Sequence, residues 1–172
     1  NVWRNLYRRA FLLENGLFFQ ENTHAEDGEH ITRVLLSDPK IRTVDTPFYQ
    51  YRIGRTGSLM NSVSIDRIQE TVSVLKTSIQ RLRKSGYAWG TVPIIGFQFE
   101  YLLNMVLVRE LPPEKRAEGA EIFEDYRSVL LPTADRLVRI VTAVLQIVGV
   151  QRLAWMLRCA KTWKRRMEHR EI

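Results

Sequence analysis

Between residues 65 and 82 the apolar side chains Ile65, Ile68, Val72, Leu75, Ile79 and Leu82 recur at spacings of 3, 4, 3, 4 and 3. That rhythm puts them on one stripe of an α-helix, and the stripe must be covered by other parts of the chain. Ser64 offers an N-cap oxygen in front of it, and Gly86 offers a left-handed stop behind it. The stretch from Val92 to Val108 is apolar on nearly every face and ends at Pro112 and Pro113, which reads as a helix buried among others. Pro113 can open the next helix, running to Leu131 before Pro132. Thr133 begins another, and Gly149 is expected to break or kink it before a final basic helix with Trp155 and Trp163.

The first part of the chain has a different texture. Leu6, Phe11 and Leu12 predict a short helix stopped by Asn15 and Gly16, and a second helix is expected from near Asp27 to Leu36. Ile41 to Val44 reads as a short strand, and Tyr49, Tyr51 and Ile53 alternate along a second extended segment after Pro47. The chain is therefore divided at 1–63, 64–136 and 137–172. Its 172 residues suit a single core, and with 45% hydrophobic and 26% charged residues neither disorder nor a membrane-embedded bundle is indicated. The lone Cys159 cannot form an intrachain disulfide, which fits a reducing, cytoplasmic setting.

The net charge of +7 is concentrated at one end. Residues 137–172 hold 8 basic and 2 acidic side chains, while the rest is close to balanced. A nucleic-acid surface would spread its basic groups over a folded face, so that partner is not expected. A basic tail on an apolar helix suits an anionic membrane surface. Arg152, Trp155, Lys161, Trp163, Lys164 and Arg165 are the expected contacts. The longest uncharged stretch there, Ile140 to Gln151, has 12 residues against the roughly 20 that span a bilayer, so no segment is expected to cross alone. The sequence opens at Asn1 inside an aromatic, basic helical pattern with no leader, the expected look of a piece of a longer protein.

Three clusters could carry chemistry. His24, Glu26, Asp27, Glu29 and His30 hold five proton- or metal-binding groups within seven residues. Glu26 and His30 share a helix face, as do Asp27 and His30. The spacing is not that of a zinc protease, and no metal ligand set is assigned. The plainer alternative is a capping box of Thr23 and Glu26, with carboxylates favoured at a helix N-terminus. Next, the segment 49–58 empties a strand into a loop with Arg52, Arg55, Gly54, Gly57 and Ser58. Such a loop suits a diphosphate, because glycine admits the backbone and arginine grips phosphate oxygens, though a solvated turn has the same composition. Finally, Trp3, Arg4, Tyr7, Arg8 and Arg9 could stack on sugars or bases, or form core on one side and snorkelling cations on the other.

In order and spacing these pieces resemble the C-terminal part of the catalytic domain of bacterial family 2 glycosyltransferases, the GT-A enzymes that build capsules, exopolysaccharides and lipopolysaccharide. The resemblance covers Trp3, Leu6, Tyr7, Arg8 and Arg9; Asn15 and Gly16; Phe19; Glu26 and Asp27; Arg33, Leu35 and Leu36; Tyr49, Tyr51 and Arg52; and Gly57 and Ser58. It implies an α/β fragment, the end of a Rossmann-like GT-A domain, followed by a mainly helical region. It implies that Asp27, paired with Glu26, is the general base that deprotonates an acceptor hydroxyl as it attacks a nucleotide-sugar with inversion. Arg52, Arg55 and Ser58, with Trp3 and Arg4, would face the diphosphate or the acceptor. A Mn²⁺ or Mg²⁺ ion is implied for the whole enzyme, bound by residues absent here, since no Asp-x-Asp occurs in the sequence. The family's Asn-Lys before Leu-Tyr stands here as Arg4-Asn5. The implied partners are a nucleotide-sugar and a saccharide or lipid-linked acceptor, at the inner face of the membrane. The alternative is a non-catalytic helical module that binds a membrane or a partner protein.

Overall fold

The computed structural model describes residues 2–21, 23, 25–50, 63–88, 90–130 and 132–168, with side chains described as far as 163. Within them the α-helices are α1 (Arg9–Glu14), α2 (Glu26–Leu36), α3 (Ile65–Lys84), α4 (Val92–Asn104), α5 (Arg116–Asp125) and α6 (Arg136–Glu168). Tight 3-10 turns lie at Val2–Arg4, Met105–Arg109, Pro113–Lys115 and Arg127–Leu130.

The expected α/β character is overturned. Among the described residues there is no strand, and the segment Ile41 to Val44 forms none. A strand exists through its ladder, and alternation in sequence cannot supply the missing neighbour. Ile41 and Val44 are instead 70% and 65% exposed on an extended coil. Tyr49 belongs to the same coil, while Tyr51 and Ile53 lie outside the described residues.

The helical half follows its periodicity. The Ser64 side chain accepts the Arg67 N–H at 3.2 Å, and Ile68, Val72, Leu75, Ile79 and Leu82 of α3 are buried together. Burial of side chains of this size contributes about 2 kcal/mol each. They pack against Ile94 and Tyr101 of α4, the Met105–Val108 run, Phe123 of α5, and Val138 and Leu145 of α6. Both predicted glycine stops are Schellman ends. Gly16 has φ 60° with Leu17 N–H donating to Leu12 C=O, and Gly86 has φ 92° with Tyr87 N–H donating to Leu82 C=O.

Two buried polar groups finish helix ends that sequence spacing leaves open. The Tyr101 hydroxyl donates to the Phe123 carbonyl in the last turn of α5, and burial raises its pKa further. Gln98, wholly buried, donates to the carbonyls of Val129 and Pro132 at 3.1 and 3.2 Å. The next helix begins two residues later than the Thr133 expectation. Asp135 is its cap, accepting the Val138 N–H at 2.9 Å, and Thr133 accepts the Asp135 N–H at 3.2 Å.

Gly149 breaks the last helix as expected. Its φ of 74° and ψ of 169° are non-helical, so α6 has two arms. The first buries Val138, Thr142 and Leu145, and the second buries Val150, Leu153 and Ala154. From Arg158 to Trp163 every residue is exposed. By length and composition, Val92–Arg109 and Arg136–Trp163 are each apolar enough to cross a membrane. The first is 44% buried and the second 28%. The second leaves Leu137, Ile140, Ile147, Trp155 and Trp163 more than half exposed.

Candidate functional site

The first turn of α2 carries Glu26 and Asp27, both half-buried. Three negative side chains in that turn, Glu26, Asp27 and Glu29, complement the positive end of the helix dipole. The capping box does not form. Ala25 occupies the N-cap with no side-chain hydrogen bond, and the Thr23 hydroxyl is buried without a partner.

What anchors this turn is an arginine. Arg33 Nε donates to both carboxylate oxygens of Glu29 at 2.9 Å, and its other nitrogens donate to the carbonyls of Gly16, at 3.4 Å, and Phe18. Arg81 of α3 approaches Glu29 at 3.5 Å. The Thr32 hydroxyl donates to the Gly28 carbonyl at 2.8 Å and shares a 2.7 Å hydrogen bond with Ser78 of α3. Gly28 permits the close approach, since a β-carbon there would lie 3.3 Å from Val74 Cγ1. The base of α2 is thus fixed to the α1 loop and to the core, and Asp27 with it.

Around Asp27 lies an aromatic cluster. The His30 ring, almost wholly buried, stacks on Phe19 with centroids 4.2 Å apart and meets Tyr7 edge-on at 5.8 Å. Burial, then the Arg33 charge, lowers the His30 pKa below its ordinary 6.5, against the opposing charges of Glu29 and Asp27. His30 is accordingly neutral at pH 7, and its Nδ1 has no hydrogen-bond partner. Burial raises the Tyr7 pKa, the neighbouring Asn5 side chain lowers it, and the Asp27 carboxylate raises it. Asp27 therefore acts electrostatically on both rings.

Tyr7 is also a wall of a groove of about 970 Å³ between residues 4–15, α2 and the coil 37–48. Arg4, Arg8, Lys40 and Arg42 face it, against Glu14 and Asp38, and Phe11, Ile31, Leu35 and Phe48 give it an apolar floor. Asp27 stands one turn before Ile31 on the same side of α2. Trp3 stacks on Tyr49 at 5.1 Å, and the Arg4 guanidinium sits 5.4 Å from the Trp3 ring centroid. An anion with an organic body matches these walls: guanidinium and ammonium groups for the charge, apolar surface for the rest.

The structure brings Trp3, Arg4, Glu26 and Asp27 into one region. Arg52, Arg55, Ser58 and His24 lie outside the described residues, as do the side chains of Lys164 and Arg165. Arg152, Trp155, Lys161 and Trp163 are on the exposed second arm of α6, away from the groove lining. Sequence reasoning passed over Lys40 and Arg42. Their i, i+2 spacing on an extended segment, which aims side chains the same way, was the available signal. Among the described residues no group of three or more His, Cys, Asp or Glu side chains could hold a metal ion. Comparisons with protein-family models, curated proteins and solved structures give no match for this chain.

Proposed function

We propose that this chain forms the acceptor side of an inverting glycosyltransferase acting in cell-surface polysaccharide synthesis. The observation that carries the reading is Asp27, in the first turn of α2, whose carboxylate acts electrostatically on Tyr7, itself a wall of the cationic, apolar-floored groove. In this role Asp27 takes the proton of an acceptor hydroxyl as that oxygen attacks the anomeric carbon of a nucleotide-sugar. The bond to the nucleoside diphosphate breaks on the opposite face, and the configuration inverts. Arg4, Arg8, Lys40 and Arg42 would offset the charge of the leaving diphosphate or of an acceptor phosphate. Among the described residues no cluster of His, Cys, Asp or Glu side chains fits the divalent ion that the family resemblance implies, so no step here runs through one. The reading concerns the helices and coil described above and needs no sheet.

The test is turnover by the protein that carries this sequence, supplied with nucleotide-sugars and a saccharide acceptor. Asp27→Asn should lower turnover by about 10² to 10⁴-fold, the usual contribution of a general base, with acceptor affinity retained. Turnover unchanged by that substitution would remove Asp27 from the chemistry and the reading with it.

A second reading is favoured by the second arm of α6, where exposed tryptophans stand among basic residues. On it the chain is a helical module that binds an anionic membrane surface. Lipid binding without any sugar-transfer activity that depends on Asp27 separates this from the first reading.

A further inference from the structure

We infer that the second arm of α6, together with Arg109, forms a binding site for the phosphate of an anionic phospholipid. The inference rests on the second reading above, that this arm meets a membrane, and goes on to name the site and its ligand. A cavity of about 430 Å³ lies between Arg109, which ends the 3-10 turn Met105–Arg109, and the helix face carrying Trp155, Arg158, Cys159, Thr162 and Trp163. Arg109 Nε is buried and has no hydrogen-bond partner. Arg158 Nη1 donates to the Arg109 carbonyl at 3.0 Å, which fixes its guanidinium beside the same turn. Among the described residues neither arginine has a carboxylate partner, whereas Arg33, Arg81 and Arg127 each do.

Two guanidinium groups sharing one cavity repel each other unless an anion sits between them. A phosphate oxygen pair suits the planar fork of each. The walls say which phosphate. Trp155 and Trp163, two helical turns apart on the same face, are 55% and 67% exposed, and Met156 beside them is 43% exposed. A free phosphate ion has no use for exposed indoles. A phospholipid places its phosphate at the depth where tryptophan rings settle, between headgroup and acyl chain. The excess of basic over acidic residues in 137–172 adds attraction to an anionic leaflet.

The experiment is co-sedimentation of the full chain with phosphatidylcholine vesicles, with and without phosphatidylglycerol, and separately a titration with inorganic phosphate. The unsubstituted chain should partition onto the phosphatidylglycerol vesicles. Arg109→Gln with Arg158→Gln should weaken that partitioning by about 30-fold, about 5-fold for each basic group at an anionic surface. Arg136→Gln with Arg139→Gln removes the same charge from the first arm of α6, outside the cavity lining, and should change it little. Arg158→Gln alone, at an exposed position, keeps the test valid if the double variant loses its helical circular dichroism. Equal losses from the two pairs would overturn the site while leaving the membrane reading intact. Absence of vesicle binding would overturn both, and saturable inorganic phosphate binding without vesicle binding would overturn the lipid assignment.

Discussion

Arg33 does more for this structure than its place near the end of α2 suggests. It neutralises the nearly buried Glu29 and satisfies two loop carbonyls, so its loss leaves a charge and two acceptors without their donor. Arg33→Met should lower the unfolding free energy by about 2 kcal/mol, less than for a fully dry pair because Arg81 remains near Glu29. Arg127→Met, breaking the exposed pair with Glu124, should cost under about 1 kcal/mol. Urea midpoints with unchanged slopes measure both, and equal costs would contradict this account. His30 gives a second residue-level expectation. Its native pKa lies below the ordinary 6.5, so above that pH it is neutral in both folded and unfolded states and its contribution is complete. As the pH falls below 6.5 the unfolded chain takes up a proton that the native ring, set between Phe19 and Tyr7 and near Arg33, resists. Stability therefore declines until the native pKa is passed. His30→Phe should flatten this decline, and comparing the two proteins in the same buffers cancels the contributions of His24 and His169.

At the scale of elements, Gly149 is the clearest constraint. Its φ and ψ lie in a region that only glycine adopts readily, and both arms of α6 are held by their own buried stripe. Neither arm can swing to relieve a β-carbon, even though no atom would meet one within 4 Å. Gly149→Ala should therefore destabilise the protein by about 1 to 3 kcal/mol, as read from thermal unfolding at fixed concentration. A stabilised, straightened helix would contradict the two-arm packing. Helices α3 and α6 show why some elements were legible in sequence: the α3 stripe with its Ser64 cap and the glycine break in α6 are local, written within a few turns, whereas the α6 cap lay two residues beyond the Thr133 expectation. The extended segment at Ile41 to Val44 was not, because a strand needs a partner that no local pattern can guarantee. The capping box at Thr23 failed for a related reason. Arg33, a residue seven positions beyond Glu26, fixes the turn through contacts with Gly16 and Phe18 that spacing does not encode.

For the whole molecule, the distribution of burial sets an order of opening. Helices α3 and α4 supply much of the core, whereas residues 40–50 are all exposed coil. Amide exchange should be slowest in α3 and α4, tracking global unfolding, and fastest, among the described residues, across 40–50. That coil nevertheless forms one wall of the groove, through Lys40, Arg42 and Phe48, while the opposite wall is carried by α2, which is fastened to the core. An anion held between the walls must order the loose one against the fixed one, since the cations on the coil reach the ligand only when the coil is seated. Saturating inorganic pyrophosphate should therefore slow exchange across 40–48 severalfold and leave α3 and α4 unchanged, read by mass spectrometry of peptides from each region. Arg42→Gln should remove much of that protection without altering exchange in the free protein, because the exposed side chain adds nothing to the core. Protection that appeared uniformly over the molecule would indicate general stabilisation by salt, and the groove would lose its standing as the anion site.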